Sequence, residues 1–173
     1  MDINSVGIRN FLIISEVDAI LSGRGLTRIA GENLDDTTSS SNGSGKSCIL
    51  EAVYWCLFGD TLRSIVNNNV KKDCSVIVQM TEGDVKYRVE RYRKHSKKKN
   101  NLYLYINGID SRGKDNKETQ EFIESVIGMD KVSFANSIVF GQGHSKNLKR
   151  FSEMGDAEKK ATMERVLDIE AFA

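Results

Sequence analysis

The chain has 173 residues, of which 39% are hydrophobic and 28% charged, with a formal net charge of +1. That length suits one domain with a real core, the near-neutral charge does not announce a nucleic-acid binder, and no apolar stretch approaches the ~20 residues of a membrane span. Three cysteines (Cys48, Cys56 and Cys74) without C-x-x-C spacing, and two histidines far from them in sequence, argue against a disulfide framework and a zinc site.

In chain order, Ile3 to Ile8 reads as a strand, and Phe11 to Leu21 as a second. Asp2, Asn4 and Arg9 interrupt any signal-peptide pattern, so the expected setting is cytoplasmic. Ser22-Gly23-Arg24-Gly25 marks a turn. Leu26 to Ala30, short and largely apolar, is expected to be a third strand, buried as it enters a loop. A helix from Lys46 to about Phe58 places Ile49, Val53, Cys56 and Leu57 on one stripe and ends at Gly59. After polar Asn67-Asn68-Asn69 come three strands, Ser75 to Thr81, Val85 to Lys94 and Leu102 to Ile106, with turns at Glu82-Gly83-Asp84 and Asn107-Gly108. Their spacing predicts an antiparallel meander. Lys117 to Ile127 is an amphipathic helix with Phe122, Ile123, Val126 and Ile127 on its apolar side, and Lys131 to Ile138 is a second. Ile138-Val139-Phe140 is a short strand ending at Gly141-Gln142-Gly143, and Asp156 can cap a last helix to about Val166.

Between the third predicted strand and the first helix lies Asn42-Gly43-Ser44-Gly45-Lys46-Ser47. Strand, glycine loop, Gly-Lys-Ser and helix is the phosphate-binding arrangement of nucleotide hydrolases. Glycine lets backbone N–H groups approach an anion closely, and the helix start adds a positive dipole end. Lys46 would reach the β- and γ-phosphates, and Ser47 would put its hydroxyl on Mg²⁺. The strict pattern fails, because the position five before Gly45 is Ser40. The missing glycine is Gly31, cut off by an eight-residue insertion, Leu34 to Ser41, polar apart from Leu34. The alternative is a serine-rich surface turn with a chance Gly-Lys-Ser.

Charge is unevenly spread. From Lys86 to Lys99 eight lysines and arginines face Glu90 alone. Within that window Lys94, Lys97, Lys98 and Lys99 are candidate contacts to a phosphate backbone. A solvated hairpin tip is the alternative.

Several stretches together resemble one family. Val6-Gly7-Ile8-Arg9-Asn10-Phe11 is similar to its opening strand. Asn42 to Ser47 with Ile49-Leu50-Glu51-Ala52 is similar to its phosphate loop and helix, and Tyr87-Arg88-Val89-Glu90-Arg91 to its Tyr-x-Val-x-Arg strand. Phe134 to Gly143 resembles its Q-loop approach, and Glu158 to Phe172 the helix after which its coiled coil begins. The family is that of the SMC-like DNA repair ATPases, the SbcC-type subunits and their phage recombination-endonuclease counterparts. The resemblance implies an α/β P-loop NTPase of the ABC-ATPase head type, with a mixed sheet carrying the antiparallel meander. It implies that 1–173 is the N-terminal lobe, with a coiled coil starting at about 168–173 and a C-terminal lobe folding back from beyond it. The implied ligands are ATP and Mg²⁺, held by Asn42, Gly43, Ser44, Gly45, Lys46, Ser47 and Cys48, with Arg9 and Asn10 near the nucleotide. Gln142 would contact Mg²⁺ or the attacking water, although Gly141-Gln142-Gly143 alone also reads as a polar turn. Leu12 departs from the family, which often has a basic or small polar residue there.

The resemblance further implies double-stranded DNA ends, a metal-dependent nuclease subunit and a second head as partners. No Walker B carboxylate follows an apolar run of four residues here: Val166-Leu167-Asp168 has two, and Leu102 to Ile106 is followed by Asn107. Leu21-Ser22-Gly23-Arg24-Gly25 looks like the family's signature motif but precedes the phosphate loop, so a turn explains it better. The expected protein is half of a composite ATP site, inactive alone. A clamp-type ATPase without a nuclease uses the same motifs. A GTPase or P-loop kinase is the third reading, since Asn116-Lys117-Glu118-Thr119 approaches the guanine-reading Asn-Lys-x-Asp but lacks the Asp.

Overall fold

The computed structural model describes residues 1–32, 44–61, 64–137, 149 and 151–167. The expectations for Asn42, Gly43, the Leu34–Ser41 insertion, Ile138–Phe140, Gln142 and residues 168–173 lie outside the described residues.

Strands β1 (Asp2–Phe11), β2 (Ile14–Ile20), β3 (Cys74–Glu82), β4 (Val85–Arg93), β5 (Leu102–Ile106) and β6 (Ile109–Asp110) form one sheet in the order β2-β1-β3-β4-β5-β6. Every pairing among them is antiparallel, so the described strands supply the antiparallel part of the expected sheet. The period of two in the sequence sets the register: Val6, Val78, Val89 and Leu104 lie opposite one another and make an apolar row across four strands. The next row on the same face is Ile8, Val76, Arg91 and Leu102, with one charge among three hydrophobes.

Helix α1 (Lys46–Phe58) packs on β1, β3 and β4 from this side and is itself covered by α2 (Asn116–Ile127). Enclosure on two sides explains why residues 51–58 are all buried, where the sequence pattern predicts a stripe. Ile49 is half-buried and Leu50 exposed. Helix α3 (Lys131–Ser137) closes the core by setting Phe134 against Phe58, ring centroids 5.0 Å apart, and against Tyr54 at 6.5 Å. On α2 only Ile123 of the predicted apolar side is fully buried, and Phe122 is exposed. Asp115 caps α2 by accepting from the Glu118 N–H at 2.9 Å, and Gly128 ends it at φ 67°.

Two expectations are corrected. Leu26 to Ala30 forms no strand and is exposed throughout. An apolar run becomes a buried strand only beside another strand that takes its N–H and C=O groups, and no described strand flanks it. Asp156 is the first residue of α4 (Asp156–Val166) rather than its cap. The Gly155 N–H is taken instead by Glu158 Oε2 at 3.0 Å, reaching back from the first turn. All three cysteines are buried and none forms a disulfide among the described residues, in keeping with the spacing, and burial pushes the Cys56 and Cys74 thiols up to about 12.

Candidate nucleotide site

The start of α1 is built on Gly45. Its φ of 82° is left-handed, and a methyl group there would stand 2.9 Å from Ile13 Cδ1, so backbone and space both call for glycine. The helix start carries neither a side-chain cap nor an acidic residue in its first turn. Those are the usual complements of a positive helix end, and a terminus without them suits an external anion. Lys46 Nζ lies 2.9 Å from Ser44 Oγ, so the lysine folds back over the loop. Ser47 is exposed in the first turn of the helix.

Gly31 closes the loop from the other side. A methyl group on it would overlap Ser44 Oγ and approach Ser44 Cβ to 2.9 Å and Lys46 Cγ to 3.2 Å. The two ends of the split loop therefore meet, and the position read as the displaced loop glycine lies against Ser44 and Lys46. Cys48 differs from its neighbours: its side chain is in the core and its N–H donates to Gly45 O at 3.0 Å.

Arg9 and Asn10 are held at the end of β1. The Arg9 guanidinium is 2.8 Å from Asp18 Oδ2 and 3.0 Å from Glu16 Oε1, and the hydrogen bond from Arg9 holds the Asp18 carboxyl below the usual carboxylate range. Asn10 adopts φ 51° and donates to Asp73 O at 3.2 Å. Ile13, in the turn between β1 and β2, is the residue that touches Gly45, and no sequence signal singled it out. It also lines a cavity of about 500 Å³ with Leu12, Ser15, Val66, Asn67 and Asn69.

The far end of α1 is tied down by β4. Arg91 Nε donates to Cys56 O at 2.8 Å, its terminal nitrogen donates to Leu57 O at 3.4 Å and to Gln120 Oε1, and its guanidinium lies 5.9 Å from the Trp55 ring. Gln120 Nε2 donates to the same Leu57 O at 2.9 Å. Burial pushes the Arg91 pKa down to about 10, which leaves it charged at neutral pH. This cation satisfies carbonyls at the negative helix end. Sequence reading set Arg91 in the Tyr-x-Val-x-Arg run but had no signal for Gln120.

Asn116 is committed to structure: its Oδ1 accepts from Leu102 N–H at 3.1 Å and its Nδ2 donates to Asn100 O at 3.1 Å. That leaves it poorly placed to read a guanine. Of the hairpin lysines, Lys94, Lys97 and Lys99 are exposed, or nearly so, while Lys98 Nζ sits 4.4 Å above the Tyr103 ring. Among the described residues no group of three or more His, Cys, Asp or Glu could hold a metal, and no helix is long and apolar enough to cross a membrane.

The family model described as an AAA domain matches residues 5–171. Exonuclease subunit 2 of Escherichia phage RB69 is 28% identical over 141 residues, covering 78% of this chain and 24% of that protein. The DNA double-strand break repair Rad50 ATPase of Methanocaldococcus jannaschii is 28% identical over 153 residues, 86% of this chain and 14% of the relative. The SbcC protein of the SbcCD nuclease of Deinococcus radiodurans is 27% identical over 150 residues, 76% and 16% respectively. The chain thus spans a quarter or less of the length of these relatives. With its α/β architecture and phosphate-loop helix, the chain belongs to the AAA domain family, as a P-loop ATPase lobe of the SbcC/Rad50 type.

Proposed function

We propose that this chain is the ATP-binding lobe of a DNA double-strand-break repair ATPase. The observation that carries the reading is the closed loop of Gly31, Ser44, Gly45 and Lys46 on an acid-free helix start. In it, backbone N–H groups and Lys46 take the β- and γ-phosphates. The exposed Ser47 hydroxyl suits Mg²⁺, which accepts one protein oxygen beside phosphate oxygens and water. Bound magnesium neutralises charge on the phosphates; this chain's own residues bind and orient them. The cavity that shares Ile13 with the loop is assigned to the nucleoside end.

The rest of the reading extends the relatives' names to this chain. ATP sandwiched between two heads gates the access of a separate nuclease subunit to double-stranded ends. Gln142 contacts the metal or the attacking water, and Arg9 and Asn10 lie near the nucleotide. A second lobe completes the head, and a coiled coil leaves from about residue 168. Titration with a fluorescent ATP analogue, competed by ATP and by GTP, tests the core of this. Binding that ATP displaces better than GTP, and that Lys46→Ala abolishes without lowering the melting temperature, is expected. Equal competition, or binding unaffected in Lys46→Ala, refutes it.

A further inference from the structure

Helix α1 is a rod with two unlike ends. Its first turn carries Lys46 and Ser47 with no side-chain cap, and residues 51–58 beyond them are all buried. Apolar burial is non-directional, so it fixes the distance of the rod from the sheet better than its place along its own axis. Hydrogen bonds have direction, and among the described residues those from α1 to the sheet and to α2 fall in the last turn. There the Cys56 thiol donates to Val76 O at 3.3 Å, while Arg91 and Gln120 donate to the carbonyls of Cys56 and Leu57.

Arg91 acts on the rod in both directions. The last carbonyls of a helix have no partner within it, and here Arg91 Nε meets Cys56 O at 2.8 Å and a terminal nitrogen meets Leu57 O at 3.4 Å. Sliding α1 towards its N-terminus breaks these bonds. Sliding it the other way drives it into the guanidinium, which stands so close to the helix end that a methyl group on Gly59 would come within 2.9 Å of Nη1 and 3.2 Å of Cζ. The guanidinium is itself seated: Gln120 Oε1 accepts from it, and the register of β4 sets Arg91 between Val76 and Leu102. Lys46 lies ten residues before Cys56, about 15 Å along the axis. Arg91 is therefore too far away to touch a phosphate, yet the helix between them is a stiff spacer whose two ends move together. Hydrogen bonds such as those to phosphate oxygens hold over a range of only about 0.5 Å, so a small slide at Cys56 is felt at Lys46.

We propose that Arg91 is a positioning residue for nucleotide binding, setting from the far end of α1 where Gly45, Lys46 and Ser47 meet the β- and γ-phosphates. The proposal rests on the ATP-binding reading and adds to it a determinant one helix length from the ligand. The test uses the full chain and displaces a fluorescent ATP analogue with ATP or with inorganic tripolyphosphate, which has only the phosphate end. Arg91→Lys keeps the charge but holds one carbonyl where arginine spans two, so a loss in this variant is positional rather than electrostatic. Both competitors should bind it about 10- to 150-fold more weakly, the contribution of one hydrogen bond to a charged group. The milder Gln120→Ala, at a half-buried position on α2, keeps the test open where Arg91→Lys does not fold. It should weaken both competitors by about 2- to 12-fold, the contribution of one neutral hydrogen bond. Enough stabilising osmolyte to return each variant to the wild-type melting temperature should leave these losses in place. Wild-type affinity in the folded variants, recovery with the osmolyte, or a loss confined to ATP with tripolyphosphate unaffected overturns the proposal. A wild-type chain that binds no triphosphate, or one whose binding survives Lys46→Ala, sinks the ATP-binding reading. Lys46-dependent binding that is indifferent to Arg91→Lys and Gln120→Ala sinks the positioning role alone.

Discussion

Replacing Gly31 with alanine tests the idea that the split loop closes into one phosphate cradle. Gly31 does not have a left-handed φ, so alanine meets no backbone penalty there. The added methyl overlaps Ser44 Oγ and lies 3.2 Å from Lys46 Cγ. One side must yield, and because Ser44 Oγ holds Lys46 Nζ at 2.9 Å, the lysine moves with it. Overpacking by one carbon costs about 1–3 kcal/mol, and ~1.4 kcal/mol is tenfold in affinity. If the cost falls on the cradle, an ATP analogue binds about 5- to 150-fold more weakly, with little change in melting temperature. Ser44→Gly removes the obstructing hydroxyl and one hydrogen bond, a loss of about 0.5–1.5 kcal/mol by itself. The double variant Gly31→Ala/Ser44→Gly should then bind no worse than Ser44→Gly alone, a coupling of about 1–3 kcal/mol in a double-mutant cycle. Wild-type affinity in Gly31→Ala, or additive losses in the double variant, refutes the closure of the loop through Gly31.

Gly45→Ala combines a left-handed φ of 82° with a 2.9 Å approach to Ile13. It should cost about 2–5 kcal/mol of stability by denaturant unfolding, and Ile13→Ala in the same chain should recover part of it. Arg91→Leu leaves Cys56 O buried without its donor and should lower stability by about 1–3 kcal/mol. Arg91→Lys should recover less than half, because one ammonium cannot span acceptors on two elements; full recovery counts against the fork geometry. The Asp73 carboxyl is held below its ordinary range chiefly by the Ser96 N–H. A carboxyl with a depressed folded pKa binds fewer protons folded than unfolded, so its contribution is complete above about pH 4 and fades below that. Amide exchange at Ser96 should therefore quicken as pH falls from about 4, after correction for intrinsic rates, and unchanged protection at about pH 3 argues against the Asp73 knot.

The sequence was most legible where local signals agree. Alternating Val76, Val78 and Met80, then Val89, with glycine turns at Gly83 before β4 and Gly108 after β5, placed β3 to β5 within a residue or two of their ends. The Gly45-Lys46 junction located the start of α1 because glycine, lysine and helix sit next to one another in sequence. What stayed hidden depends on distant partners. Leu26 to Ala30 has the composition of a buried strand, yet composition cannot supply the neighbour that a strand requires. Ile13 against Gly45, Gln120 beside Arg91 and the Lys71 segment beside the hairpin are contacts between residues far apart in the chain, with no repeat or motif to mark them. Arg91 itself reads as one more cation in a basic stretch, because alternation alone does not say which face of β4 meets the core.

That placement has a consequence for how the sheet finds its alignment. Hydrophobic rows are interchangeable: sliding β4 by two residues against β3 and β5 keeps valine and leucine facing inward and sacrifices little contact. Arg91 is not interchangeable. Only in the observed register, with Val76 on one side and Leu102 on the other, does its guanidinium reach the carbonyls of Cys56 and Leu57. Any slipped alignment strands a charge in the interior with no acceptors. One arginine thus acts as an alignment key between the meander and the helix that begins the phosphate site, favouring a single pairing among several that the hydrophobic pattern alone would allow.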